Sequence, residues 1–271
     1  MTAGIDHPPT SGGGLPAALP GLRTIAPVPS DPGPTVEGML SPVIDELATG
    51  RALTAHHPLG TSTGHLVELR GQWDMLVRRA IDVSTLAVEL AALSEPEFLS
   101  LCTWLEQNGD GLPFDFVSVH APTKHRELPE QALVERLLAL PASVDAIVLH
   151  PDAMERPERY AALGAVAAVE NMDARKSGGR TVDELAPIFA ALPDAAFCLD
   201  VPHAQSIDPT LDEAHRLLDA YGERLRHVHL SSVDAGCHHV PLTTADEQAF
   251  EPVLRRCSDV PWILESALPA R

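Results

Sequence analysis

The amino-acid sequence predicts an α/β fold, a (β/α)8 TIM barrel. Three observations support it: short strand patterns alternate with longer helical patterns, the strand patterns number eight, and six of them end in an acid or a histidine. Eight βα units in about 220 residues favour a closed parallel barrel, because that fold repeats such a unit eight times. A doubly wound open sheet shows similar local periodicity and stays the alternative.

The domain organisation follows from composition. Residues 1–35 contain eight prolines and six glycines with few large side chains. Such a segment buries too little apolar surface to offset the entropy of ordering, so we expect a flexible tail. The chain as a whole is 45% apolar, and residues 36–271 are predicted to form a single TIM-barrel domain around one core.

The strand patterns are rich in β-branched and apolar residues and cover residues 52–57, 86–93, 114–120, 145–150, 165–170, 195–200, 225–230 and 261–266. Helical patterns, with apolar residues three and four positions apart, lie between them, for example over residues 129–140, 181–192 and 210–221. Thr181 with Glu184, and Thr210 with Glu213, predict capping boxes at two helix starts.

The predicted barrel lacks a C-terminal eighth helix, because Arg271 follows the last strand pattern by five residues. Residues 36–50, VEGMLSPVIDELATG, have a helical pattern instead. In a closed ring the first strand lies beside the last. We therefore expect this N-terminal helix to fill the place of the eighth one.

Charge and cysteine content restrict partners and compartment. The formal net charge of -19 repels nucleic-acid phosphates and acidic membranes. Four cysteines without a CxxC pair suit a reducing compartment, and no apolar run reaches the roughly 18 residues of a membrane span. The sequence predicts a cytoplasmic protein that acts on a small molecule, with no nucleic-acid or membrane partner.

Six successive strand patterns end at or beside a residue of a metal-ligand type, namely His120, His150, Glu170, Asp200, His229 and Glu265. These ends form the C-terminal rim, where barrel enzymes place their chemistry. Carboxylates and imidazoles crowded into one mouth repel each other and lose solvation, and a divalent cation stabilises them. The pattern predicts a metal centre, with structural hydrogen bonding as the alternative.

Four motifs carry a resemblance to a known family: ENMD around Glu170, LDVPH over residues 199–203, HVHL at His229 and ILES around Glu265. As an ordered set they resemble the xylose isomerase-like TIM barrels, which include tagatose 3-epimerases, sugar phosphate isomerases/epimerases and endonuclease IV. The resemblance implies one divalent metal on Glu170, Asp200, His229 and Glu265. It also implies that Glu170 and Glu265 move a substrate proton and that His203 contacts substrate oxygens.

The resemblance to endonuclease IV implies further metal ligands at His120, His150, His203 and His238, all of which this sequence has. Gly236 stands where the polynuclear relatives have an aspartate, so the resemblance favours a two-metal site that shares Glu170. Substrate contact stays open for His120 and His150.

Several other polar residues have two interpretations. His203 could be incidental to a helix-capping aspartate. His227 lies one layer deeper, as a core residue or one that orients a ligand. His56 and His57 either reach the pocket or are structural. Glu89 lies in the middle of a strand, and we expect it to pair within the site, because an unpaired buried carboxylate is costly.

A set of basic residues falls on predicted βα loops of the catalytic face and comprises Lys124, Lys176, Arg126, Arg175 and Arg180. On an acidic protein this local positive charge could bind a phosphate or carboxylate of the substrate, for which we single out Lys124, Lys176 and Arg180. A solvated charged loop is the alternative.

The leading hypothesis is a metal-dependent isomerase or epimerase of a small hydroxy-carbonyl compound, sugar-like or anionic, with manganese, magnesium or cobalt. The alternatives are a polynuclear zinc or iron hydrolase or phosphoesterase, and an iron-dependent oxidative enzyme of specialised metabolism. A non-enzymatic binding barrel is the last alternative. The net charge disfavours a DNA repair nuclease.

Overall fold

A computed structural model describes residues 57–267 of the chain, and within them eight parallel strands close into a barrel. The strands are β1 (Leu59–Ser62), β2 (Ala87–Ala91), β3 (Phe116–His120), β4 (Ala146–Leu149), β5 (Ala167–Glu170), β6 (Ala196–Asp200), β7 (Leu225–Leu230) and β8 (Trp262–Leu264). Each strand pairs with its neighbours in chain order, and β1 pairs with β8. The TIM-barrel prediction is confirmed, and the open sheet is excluded.

Seven α-helices lie among the described residues: α1 (Trp73–Ile81), α2 (Glu95–Asn108), α3 (Glu130–Leu138), α4 (Val182–Ala191), α5 (Val201–Ile207), α6 (Asp212–Tyr221) and α7 (Thr244–Leu254). The connection from β4 to β5 has 3-10 turns instead, at Pro151–Ala153 and Pro157–Val166. Gly164 within the second has a φ of 56°, a conformation that interrupts an α-helix.

The two faces of each strand bury different kinds of residue. Outward residues such as Val88, Leu90 and Val119 belong to the large core between strands and helices, where each fully buried side chain contributes roughly 1.5–3 kcal/mol. The inner cluster is mostly small, comprising Ala87, Phe116, Ala146, Ala168, Ala196, Cys198 and Ile263. Small inward residues leave room at the rim for larger polar side chains.

The first strand was predicted in the wrong place. It lies at Leu59–Ser62, not at 52–57, of which only His57 falls within the described residues. Gly60, which reads as a turn signal, is a strand residue: a Cβ there would come within 2.4 Å of the Ala87 carbonyl oxygen on β2. His57 stacks on Trp262, with ring centroids 3.5 Å apart, at the N-terminal end of the barrel and away from the rim.

One predicted helix cap forms, and the other does not. The Thr181 hydroxyl accepts the Glu184 backbone N–H at 3.4 Å, which is half of the predicted capping box, while the Glu184 carboxylate accepts the Arg180 N–H at 2.8 Å. At α6 the prediction is wrong, because the Glu213 N–H donates to the carboxylate of Asp208 rather than to Thr210. Asp208 is the stronger acceptor, since it is charged.

Two further predictions lie outside the described residues: the tail at 1–35 and the helix at 36–50. Within residues 57–267, no helix combines the length and the apolar character that crossing a bilayer requires.

The close approach of β1 and β2 generates a prediction. Gly60→Ala should lower the free energy of unfolding by about 1–3 kcal/mol, because the added methyl group forces the strands apart. Chemical denaturation measures this. Gly111→Ala is the matched control, since its Cβ would meet nothing within 4 Å. Equal stability of both variants would contradict the strand placement.

Candidate metal centre

Four polar residues at the rim converge from neighbouring strands. Glu170 and Asp200 end β5 and β6, His229 lies one residue before the end of β7, and Glu265 directly follows β8. The His229 Nδ1 atom lies 3.4 Å from Glu265 Oε1, 3.6 Å from Glu170 Oε1 and 3.9 Å from Asp200 Oδ2. The structure therefore brings the predicted four-residue set together.

The donor atoms of this set fit a cation. Glu170 Oε2, Asp200 Oδ2, His229 Nδ1 and Glu265 Oε2 are all buried, and none has a hydrogen-bond partner in the described part of the chain. Burying carboxylates without partners costs several kcal/mol per ion, and a divalent cation between them removes that penalty. Ligand atoms of Glu170, Asp200 and His229 lie within 4.8 Å of one another, a spacing that one ion can bridge.

A second group of donors shares Glu170. His120 Nε2 and His150 Nε2 are 2.9 Å apart, and they lie 3.7 and 3.0 Å from Glu170 Oε2. These three residues also converge closely enough to hold an ion. The structure thus places two groups of candidate donor atoms side by side, and Glu170 belongs to both.

Asp200 caps a helix, and His203 also lies beside the candidate metal ligands. One Asp200 carboxylate oxygen accepts the His203 backbone N–H and caps α5, while the other oxygen stays free. The His203 ring Nδ1 bonds to the Asn171 carbonyl oxygen at 2.9 Å and lies 3.2 Å from Glu170 Oε1. His203 is therefore part of the cluster of acids and histidines at the rim.

Asn171 is a supporting residue that the sequence analysis missed. Its side-chain amide donates to the Asp200 carbonyl oxygen and accepts the Asp200 N–H, both at 2.9 Å. This pair of bonds locks the ends of β5 and β6 together. Its place in the ENMD motif beside Glu170 was the available signal.

His238 does not join the cluster. Its side chain is 71% exposed, and its Nδ1 lies 3.2 Å from Asp234 Oδ2. The neighbouring His239 enters instead, with Nε2 3.4 Å from Glu265 Oε2 and Nδ1 2.8 Å from Ser231 Oγ. The two short strands 232–233 and 239–240 form an antiparallel hairpin, and its register turns His239 rather than His238 inward.

Most of the predicted anion-binding residues already pair with acids. Lys176 Nζ lies 2.6 Å from Asp152 Oδ2, and Arg180 forms an ion pair of 2.6 Å with Glu184. Lys124 is exposed, and its backbone bridges to Ser94. The geometry does not assemble these three residues into one anion subsite.

The remaining basic residues are also occupied. Arg175 forms an ion pair of 2.7 Å with Asp173, and Arg126 donates to the Ala153 carbonyl oxygen. The loops of the rim therefore carry paired charges, which matches the solvated-loop alternative better than a free cationic patch.

Two more histidines lie near the cluster. His227 is fully buried below His229, and burial lowers its pKa to about 3, so it is a neutral core residue. His65, just after β1, has a buried Nδ1 without a partner, and burial lowers its pKa while the charge of Glu265 opposes the shift. His65 escaped the sequence analysis because the first strand was predicted too early.

The electrostatics of the described chain show how the cluster balances its charge. Burial lowers the pKa of His203, but the negative charges of Asp200 and Glu170 outweigh it and raise that pKa to about 10. Burial also opposes ionisation of Glu170, but His150 and His229 hold its pKa well below the usual range. Protons on the histidines and a bound cation are therefore two ways to balance the negative charge of this cluster.

Solved structures with the same fold agree with this architecture. The chain resembles the 3-keto-D-glucoside 4-epimerase of E. coli, with 13% identity over 80% of this chain and 94% of the other and a TM-score of 0.51. Endonuclease IV of Thermus thermophilus aligns with 24% identity over 78% of this chain and 93% of the other, with a TM-score of 0.48. A D-tagatose 3-epimerase-like protein aligns with 15% identity over 78% of this chain and 91% of the other, with a TM-score of 0.49.

No protein-family model and no curated protein sequence matches the chain. At these identities the structural likeness establishes the fold alone. That fold is the closed α/β barrel predicted from the sequence.

The raised pKa of His203, about 10, predicts how cation binding depends on pH. A pKa of about 10 means that the His203 imidazole is protonated at neutral pH in the cation-free protein, so this form binds more protons than the cation-bound protein. The affinity for the cation therefore rises with pH. We expect the apparent dissociation constant for Mn²⁺ to fall from about pH 6 to about pH 8. Titration calorimetry in buffers of different ionisation enthalpy measures the released protons. Identical heats in all buffers, with a constant affinity, would contradict the prediction.

Proposed function

We propose that the protein is a metal-dependent isomerase or epimerase that moves a proton on a small hydroxy-carbonyl substrate. The observation that carries the proposal is the pair Glu170 and Glu265: their Oε1 atoms lie 3.6 and 3.4 Å from His229 Nδ1, and their Oε2 atoms are buried without a hydrogen bond among the described residues. The proposal extends to this chain the reaction class in the name of the E. coli 3-keto-D-glucoside 4-epimerase.

Glu170, Asp200, His229 and Glu265 would hold the cation. Three carboxylates with one imidazole form an oxygen-rich set that suits manganese, magnesium or cobalt. When bound, the ion supplies Lewis acidity that stabilises negative charge on the substrate oxygens.

Glu265 is the better placed of the two carboxylates to act as the base. Its side chain is 12% exposed at the mouth, whereas that of Glu170 is 1% exposed. Glu265 takes the proton from the carbon beside the carbonyl group, and the C–H electron pair moves toward the carbonyl oxygen. A proton then returns on the other side of that carbon, for which Glu170 is the candidate carrier: it would receive the proton from the protonated His203 imidazole, whose Nδ1 lies 3.2 Å from Glu170 Oε1, while Glu265 releases its own proton to solvent. Asp200 keeps the ends of β5 and β6 in register through Asn171.

Glu265→Gln tests the proton transfer. The amide keeps the shape but cannot take a proton, so solvent-deuterium incorporation into a keto sugar should fall by about a hundredfold or more. Mass spectrometry of a panel of keto sugars incubated in D₂O with saturating Mn²⁺ measures the exchange.

Glu251→Gln is the matched control, because Glu251 is an exposed carboxylate on α7 that pairs with Arg255. It should leave the exchange unchanged. A wild-type chain that exchanges no proton with any keto sugar of the panel would refute the proposed reaction.

The grouping of His120, His150 and Glu170 favours a second candidate, a two-cation hydrolase or phosphoesterase. Two imidazoles with a shared carboxylate suit zinc or iron, which would activate water for attack on an ester. The net charge of -19 argues for a small substrate rather than a nucleic acid.

Metal stoichiometry separates the two candidates. If both groups bind, the zinc-loaded protein should hold two ions per chain after dialysis, and His150→Ala should reduce this to one. Inductively coupled plasma mass spectrometry provides the count. His238→Ala is the control and should keep the wild-type count, since His238 points to solvent. A single ion in both wild type and His150→Ala would eliminate the two-cation candidate.

A further inference from the structure

Glu89 lies in the middle of β2 and faces the barrel interior, with none of its surface exposed. The strand register places Ser62 on β1 and Ser118 on β3 directly beside it. The Ser62 hydroxyl donates to Glu89 Oε1 at 3.0 Å, and the Ser118 hydroxyl shares its hydrogen between Glu89 Oε2 and the Val88 carbonyl oxygen, both at 3.4 Å. The carboxylate is therefore held in place by a donor on each side.

The third partner of Glu89 comes from across the barrel. Glu89 Oε2 lies 3.0 Å from the Nε2 atom of His229 on β7, which is separated from β2 by β8 and β1 in the ring. This contact joins a candidate metal ligand to a carboxylate that lies below the rim. It is a hydrogen bond through the barrel interior rather than a pairing of neighbouring strands.

The contact decides which nitrogen of His229 is free. A neutral imidazole carries its proton on one nitrogen and a lone pair on the other. A carboxylate acceptor at Nε2 holds the proton there and leaves the lone pair on Nδ1. Nδ1 is the atom that faces Glu170, Asp200 and Glu265, and it has no hydrogen-bond partner in the described structure.

Other buried glutamates of the barrel have a different role. Glu95 accepts the backbone N–H groups of residues 127 and 128, Glu130 accepts that of residue 155, and Glu213 accepts that of residue 182. These three carboxylates tie one βα unit to the next. Among the described hydrogen bonds of Glu89, none comes from the backbone. Its only ring partner among them is His229, so its position serves that histidine.

We propose that Glu89 is a positioning residue, which fixes the Nε2–H tautomer and the ring orientation of His229 so that Nδ1 can bind a divalent cation. The inference rests on the cation of the proposed function but not on the reaction. A carboxylate behind a ligating histidine also makes the imidazole a stronger donor to the metal.

Glu89→Gln tests this role, because the amide keeps the volume but is a weaker acceptor and can turn its NH₂ group toward His229. The zinc dissociation constant, measured by competition with a chromogenic chelator, should rise about 10- to 100-fold. Long-range ¹H–¹⁵N spectra of the zinc-loaded wild type should show His229 with a proton on Nε2. In Glu89→Gln that proton signal should move upfield or vanish.

Glu95→Gln is the matched control. It removes a buried carboxylate that accepts two backbone N–H groups, so it should lower the melting temperature without changing zinc affinity. Ser62→Ala is a milder second variant, which keeps the test valid if Glu89→Gln folds poorly. It removes one donor to the same carboxylate and should weaken zinc binding by less than Glu89→Gln.

Three results would overturn the inference: unchanged zinc affinity in Glu89→Gln and Ser62→Ala, a wild-type His229 without a proton on Nε2, or a wild-type chain that binds no zinc. The last result would also remove the cation from the proposed function. If Glu89→Gln binds zinc more weakly while the wild-type chain exchanges no proton with any keto sugar, the inference is supported and only the proposed reaction is refuted.

Discussion

The barrel mouth is organised by one constraint, the crowding of buried acids and imidazoles around Glu170. The Glu170 carboxylate lies within 4 Å of ring nitrogens of four histidines, which come from β3, β7 and the loop or helix after β4 and β6. Such a cluster is stable only if positive charge balances the carboxylates. Protons on the histidines or divalent cations can provide that charge, and the orphaned donor atoms of Asp200, His229 and Glu265 fit the second.

The strands position this cluster because successive side chains point to opposite faces of a strand, so every second residue faces the barrel interior. Glu170 and Asp200 stand above the small inward residues Ala168 and Cys198, so these two side chains have room to approach the barrel axis. Hydrogen bonds between Asn171 and the end of β6, and from His229 Nε2 to the Glu89 carboxylate, hold the candidate ligands from the side and from below. The candidate metal centre is therefore part of the barrel's packing and is not confined to its loops.

Strand periodicity made seven strands and six rim residues predictable, because alternation and end position depend only on local sequence. The rest depends on contacts that local sequence does not contain. Gly60 reads as a turn but is required by the close approach of Ala87. Whether His238 or His239 faces the site depends on the register of a hairpin whose two strands have two residues each. Which side chain caps α6 depends on whether the Asp208 carboxylate can reach the Glu213 N–H. Ion pairs of the loop arginines and lysines likewise depend on tertiary placement.

The most direct test is a crystal structure of the Mn²⁺-loaded protein with anomalous data at the manganese absorption edge. We predict a strong peak about 2.0–2.3 Å from donor atoms of Glu170, Asp200, His229 and Glu265. A map without a peak at the rim, with the histidines still paired to these carboxylates, would contradict the account.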